Sequence, residues 1–178
     1  GITKIDTFTV KSLDGTAKDI SFTITGVNDA AVIGGPVPGA VIEDFNPNGL
    51  GRLTENGRLT VSDVDTGESS FQIGVTPGAG DLGSLTLATD GSYSYSVANT
   101  AVQYLGAGIT KTDTFTVKSF DGTEKEITFT ITGINDAAVI GGPSPAAVTE
   151  DLSVNGAGRL VESGRLTVSD VDTGEASF

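Results

Sequence analysis

The chain has 178 residues, with 10 Lys and Arg against 23 Asp and Glu, a formal charge of −13, and no Cys, Met, Trp or His. Lack of cysteine excludes a disulfide framework and thiolate metal ligands, and lack of histidine excludes imidazole catalysis and the usual zinc sites. The acidity argues against nucleic acid as a partner and suits hard cations, and no run of 18 apolar residues offers a membrane span.

In chain order the elements read as strands. Residues 7–10 (TFTV) and 19–25 (DISFTIT) alternate apolar and polar, aiming Phe8 and Val10, then Ile20, Phe22 and Ile24, at one face. Asp14-Gly15 between them is a hairpin turn signal. Residues 40–43 form a short strand. Residues 57–63 form another, with Leu59 and Val61 inward, ending where Asp63, Asp65 and Glu68 crowd a corner around Gly67. Strands at 70–75, 83–88 and 92–98 follow, with Asp90-Gly91 turning the last pair. Thr100–Leu105 is the one stretch suited to a short helical turn. Residues 112–119 and 125–132 then repeat the opening hairpin, with Asp6 and Asp113 read as plain acids before the TFTV strands.

That repetition is exact in spacing. Gly1–Phe71 aligns with Gly108–Phe178 at an offset of 107 without a gap, and 16 of the 71 pairs differ. GRLTVSDVDTGE occurs unchanged at Gly57–Glu68 and Gly164–Glu175. A period near 100 residues is too long for a solenoid coil and fits a string of whole domains. Seven or eight short strands per period, punctuated by turns, indicate an all-β fold of tandem Ig-like or cadherin-like β-sandwiches. Gly-Gly-Pro after each long strand marks a boundary. This places one complete sandwich at 30–136, the C-terminal hairpin of a preceding repeat at 1–29, and the N-terminal strands of a following one at 137–178. A lone hairpin is marginal in water, so Phe8, Val10, Phe22 and Ile24 are expected to pack against a partner sheet.

The motifs TVSDVDTGE, GSLTLATDGSYSYSV, VQYLGAGITKTDTFTVKSFDGT and TFTITGINDAAVI together give the chain a resemblance, over essentially its whole length, to the VCBS repeats of large RTX-type bacterial surface adhesins. The familiar form has Pro after NDA, where this chain has Ala31 and Ala138. The resemblance implies extended arrays of calcium-binding sandwiches, secreted to the cell surface. Calcium would sit at junctions between domains, held by the linker, a Glu in the first strand of the next domain, and a DxD corner.

By that resemblance the ligands fall on Asn28 and Asp29, on Glu43 and Asp44, and on Asp63 and Asp65. In the second copy they fall on Asn135 and Asp136, Glu150 and Asp151, and Asp170 and Asp172. Glu68 and Glu175 are additional candidates. Asp29 and Glu43 are thereby expected to complete the site begun by Asp63 and Asp65. Two carboxylates about 4 Å apart repel by roughly 4 kcal/mol at an effective dielectric near 20, so converging acids call for a cation. The bland alternative is that they solvate loops.

No enzyme is expected. Asp65-Thr66-Gly67 and Asp172-Thr173-Gly174 match the aspartic-protease triplet, but they fall one repeat apart and follow an acid instead of an apolar strand end. The glycines form no phosphate-binding pattern. The function expected is a calcium-stiffened structural spacer of an extracellular adhesin or filament. Its partners would be adjacent repeats or neighbouring copies, and host or biofilm surfaces reached through other domains. Two alternatives stand beside it. One is a filament subunit whose 1–29 and 137–178 segments complete a sandwich between chains. The other is a carbohydrate- or surface-binding module using Tyr93, Tyr95 and Tyr104.

Overall fold

A computed structural model describes residues 1–35, 39–142, 148–152 and 154–178. Pro36 and Pro143 of the two boundary signals lie outside the described residues. The described chain is all-β, with a single short 3₁₀ turn at Asn99–Ala101 where the helical turn was expected.

The opening hairpin pairs β1 (Thr3–Lys11) with β2 (Ala17–Thr25), antiparallel, around the Asp14-Gly15 turn, where Gly15 takes φ 89°. The central sandwich begins with β3 (Val32–Gly34), β4 (Ala40–Ile42), β5 (Arg52–Arg58) and β6 (Thr60–Ser62). It continues through β7 (Thr76–Pro77), β8 (Ser84–Leu87) and β9 (Ser92–Ala98), then closes with β10 (Thr110–Lys118) and β11 (Glu124–Thr132). One sheet has the order β4-β11-β10-β7 and the other β5-β9-β8, with β3 and β6 forming a separate pair. Pro77 is tolerated because β7 is an edge strand, where a missing N–H breaks no ladder. Beyond the sandwich, β12 (Val139–Gly141) pairs with β13 (Thr167–Ser169) just as β3 pairs with β6.

Aromatic rings join the two sheets. Tyr95 of β9 stacks on Phe129 of β11 with centroids 4.2 Å apart and planes 5° from parallel. Phe115 of β10 meets both rings edge-on, at 6.0 and 5.9 Å. Around them Leu53, Val97, Val117 and Ile131 are fully buried. Tyr93 and Tyr95 therefore belong to the core and offer no sugar-binding platform.

Three sequence expectations change. Residues 57–63 are not one strand. The chain leaves the β5-β9-β8 sheet at Arg58, buries Leu59 at the corner, and joins β3 from Thr60. Residues 70–75 contribute only a bridge between Phe71 and Ser119, and the strand that follows is β7. Asp113 is an interior residue of β10 and wholly buried. Its carboxylate accepts from the Leu82 and Gly83 amides at 3.0 and 2.6 Å and from the Tyr95 hydroxyl at 2.8 Å.

The pairing of β4 decides where the acids lie. β4 runs parallel to β11, with Val41 opposite Ile131, so Glu43 emerges beside the exit of β11. β3 is antiparallel to β6, and the Ala31 amide before it donates to Asp121 in the β10–β11 turn. The Asp63 corner thus lies at the opposite end of β11 from Glu43. Nine residues at roughly 3.3 Å each separate the two ends by roughly 25–30 Å.

Candidate metal centre

Both copies of the DxD corner are built alike. The first Asp accepts the backbone N–H of the second: Asp65 to Asp63 Oδ1 at 2.8 Å, Asp172 to Asp170 Oδ1 at 2.9 Å. The second Asp then accepts the linker acid's N–H at 2.8 Å: Asp29 to Asp65 Oδ2, and Asp136 to Asp172 Oδ2. Gly67 and Gly174 take φ of 90° and 91°, left-handed backbone that an L side chain rarely adopts. Asn28 and Asn135 each turn their amide to the carbonyl of the next residue, Asp29 or Asp136.

Glu43 does not complete the Asp29, Asp63 and Asp65 set, because parallel β4 carries it to the other pole. It meets the second copy instead. Its N–H donates to the Thr132 carbonyl at 2.9 Å. Its fully buried carboxylate accepts the Ile134 N–H at 3.2 Å and the Gln103 side-chain amide at 2.8 Å. Burial first, and then the charges of Asp136, Asp44 and Asp172, push its pKa up, with the Ile134 bond opposing. Asp136 is pushed up in the same sense by burial and by Asp44, Asp172 and Asp170. Glu43 and Asp44 of one sandwich thus share a field with Asp136 of the linker and Asp170 and Asp172 of the next repeat.

The remaining candidates are placed less centrally. Glu68 feels Asp65, Asp63 and Asp121, and burial followed by these charges raises its pKa. Glu175 lies over Gly106, where an added Cβ would come 2.8 Å from its Oε1. Glu150 and Asp151 are exposed. Asp44 and Asp151 share a left-handed backbone, φ 55° and 61°, so the repeat extends to this turn.

The junction carries unmet polar demand. Among the described residues, Asp136 Oδ2 and Asp172 Oδ1 are buried without a hydrogen-bond partner, as is Asp63 Oδ2 at the other corner. Leaving a buried acceptor unsatisfied costs about 1–3 kcal/mol, more when it is charged. Among the described residues no ion pair touches Glu43, Asp44, Asp136, Asp170 or Asp172. Nor do three carboxylates there converge into a ready-made cage. The donor set is all oxygen, partly buried and without a counter-cation, which fits a hard divalent ion.

Sequence reading missed Gln103, Asn99 and Asp121. Asn99 and Gln103 fall within 72–107, of which this chain holds a single copy, so repetition could not single them out. Asp121 sits in a hairpin turn, where an acid reads as turn chemistry. It accepts from Ser119, Thr123 and Ala31, and these bonds hold its carboxyl well below the usual range.

The central domain is thus a two-sheet sandwich in which β4 runs parallel to the closing strand β11, with acid corners at its poles. Residues 28–133 match the family model described as the bacterial cadherin-like domain, and the chain belongs to that family. Solved structures similar to it include domains 4 and 5 of the S-layer protein SbsC, at 15% identity and TM-score 0.35, covering 74% of this chain and 70% of that one. A longer SbsC structure, domains 1–6, is similar at 12% identity and TM-score 0.38, over 96% of this chain and 29% of that one. A Ca²⁺-stabilized adhesin that helps an Antarctic bacterium reach out and bind ice is similar at 15% identity and TM-score 0.29, over 96% and 46%. The chain spans less than half the length of the last two. No curated protein matches the sequence.

Proposed function

We propose that this chain is a non-catalytic, VCBS-type spacer of an extracellular bacterial adhesin or surface filament, stiffened by calcium at the junctions between repeats. The observation that carries the reading is the pair of buried oxygens on Asp136 and Asp172 that find no hydrogen-bond partner among the described residues, at the pole where Glu43 holds the Ile134 amide. Family membership supports the structural role, and the cysteine-free acidic composition agrees with a secreted setting.

Glu43 is anchored to its own sandwich by Thr132, Ile134 and Gln103. Asp172 is anchored to the linker by the Asp136 amide, and Asp170 fixes the Asp172 backbone. Acids from two repeats are thereby held toward one another, and their like charge favours bending the junction open. Calcium, when bound, supplies two positive charges to a carboxylate set that has no cation of its own. Glu43, Asp136, Asp170 and Asp172 would hold it, with Asp44 adjoining. Affinity on the order of 10⁻⁴–10⁻³ M is expected of such an extracellular module. Calorimetric titration of calcium into the chelator-treated chain tests the reading. Loss of the heat on replacing Asp136 and Asp172 by Asn supports it, and no heat with the unmodified chain overturns it.

Assembly by strand complementation between copies has one observation in its favour. Phe8, Val10, Ile20, Phe22 and Ile24 are 40–58% exposed, while their counterparts Phe115, Val117, Ile127, Phe129 and Ile131 are buried. Among the described residues no sheet covers that face, contrary to the expectation that it packs against one. Residues 137–178 align with 30–71 and contain no counterpart of 72–107, which supplies Leu85, Tyr93, Tyr95 and Val97 to the core. The spacer reading is preferred because the buried oxygens of Asp136 and Asp172 bear on it directly.

A further inference from the structure

The structure assigns to Gln103 the role of a positioning residue that sets Glu43 and Asp44 in place for the following repeat. We infer this from geometry at the C-terminal pole, and it rests on the calcium reading of the junction. The Gln103 side-chain amide donates to Glu43 Oε1 at 2.8 Å and to Asp44 Oδ1 at 3.0 Å, so one nitrogen bridges two adjacent carboxylates. No other side chain among the described residues hydrogen-bonds to Glu43. Asp44 is further fixed by Asn99, whose carbonyl takes the Asp44 N–H at 2.9 Å and whose amide returns a bond to the carboxylate.

Gln103 sits on a loop that also meets the next repeat. Thr173, inside the second DxD corner, donates its N–H to the Tyr104 carbonyl at 3.1 Å. Two residues further on, Gly106 leaves the space that the Glu175 carboxylate occupies. The loop after Asn99–Ala101 therefore orients the acids of its own sandwich with Gln103 while receiving the incoming corner with Tyr104 and Gly106. A neutral amide suits this post. It supplies two protons to bridge two acids and adds no charge of its own, so the net demand for a cation is left intact. Lys in its place would neutralise the set, and Glu would repel it. Partners behind ligating carboxylates typically change metal affinity 10–100-fold when removed.

Gln103→Leu keeps the volume and removes the donors. Calorimetry with calcium alone should show affinity reduced about tenfold. The metal-free amide spectrum should show the Ile134 resonance displaced, because its acceptor Glu43 is released. Gln72→Leu, removing an exposed amide bonded to the Phe120 carbonyl away from the junction, should change neither. Gln103→Asn, one methylene shorter, offers a second variant if Gln103→Leu fails to fold, and should weaken affinity by an intermediate factor. If the unmodified chain binds calcium and both Gln103 variants bind equally well, the inference is overturned while the calcium reading stands. Should the unmodified chain bind none, the calcium reading falls. The metal-free Ile134 resonance then decides positioning alone, and an unmoved resonance in the variants overturns it.

Discussion

Asp113 and Tyr95 show how context sets the work of one side chain. Asp6 occupies the equivalent position in the opening hairpin, with the same TFTV after it, and is half-exposed beside Lys4 at 3.2 Å. Asp113 is sealed beneath the sheets with two amides and the Tyr95 hydroxyl on it. Burial first, and then the bond to Asp113 and its charge, push the Tyr95 hydroxyl well above its ordinary value of 10.0. The folded state therefore keeps this proton at pH values where the unfolded chain gives it up. Its stabilising contribution is complete below pH 10 and is lost as pH rises beyond. Denaturant melts between pH 9 and 12 should show that loss, and Tyr95→Phe should flatten the slope. Glu43 makes the converse case. As a buried acid with a raised pKa, it opposes folding at neutral pH unless a cation offsets its charge. Glu43→Gln should raise the melting temperature of metal-free protein by a few degrees, about 1 kcal/mol, and lower it relative to the unmodified chain in calcium. Thermal melts in chelator and in calcium check both signs.

At the scale of elements, the two near-identical hairpins form an internal control. Phe22 is 57% exposed on β2, and Phe129 is fully buried on β11 against Tyr95. Phe129→Ala should destabilise the central sandwich by about 3–5 kcal/mol, by lost transfer energy and cavity formation. Phe22→Ala should change it by within about 0.5 kcal/mol. Chemical denaturation of the two variants separates them. The hairpins were legible in the sequence because period-2 alternation and Asp-Gly turns are local signals. Strand β5 was not, since no apolar alternation marks Thr54, Glu55 and Asn56, and the strand read there begins only at Gly57. These residues are held by pairing with β9, distant in sequence, which supplies Tyr93–Ser96 opposite them. The switch of sheets at Leu59 was hidden for the same reason. Apolar alternation runs through it unbroken, and only the ladders reveal that the partner strand changes.

For the molecule as a whole, the sequence named most of the acids and misassigned which of them meet. The linker and DxD pairs assemble as expected, Asp29 with Asp65 and Asp136 with Asp172. Glu43 joins the later corner, not the earlier one, because a parallel pairing cannot be read from one strand's pattern. The second corner draws its Glu from the sandwich before it, so the acids at that junction come from the linker and both neighbouring repeats. On the calcium reading, that arrangement would couple charge neutralisation to the angle between repeats. The chain contains no cysteine, so Thr86→Cys on β8 and Ser169→Cys on β13 give two unique positions for spin labels. Pulsed dipolar distance measurement across the junction is the most direct test. A distribution that is narrow in calcium and broad in chelator, with the difference abolished by Asp136→Asn together with Asp172→Asn, is the predicted result. The same distribution in calcium and chelator would contradict the account.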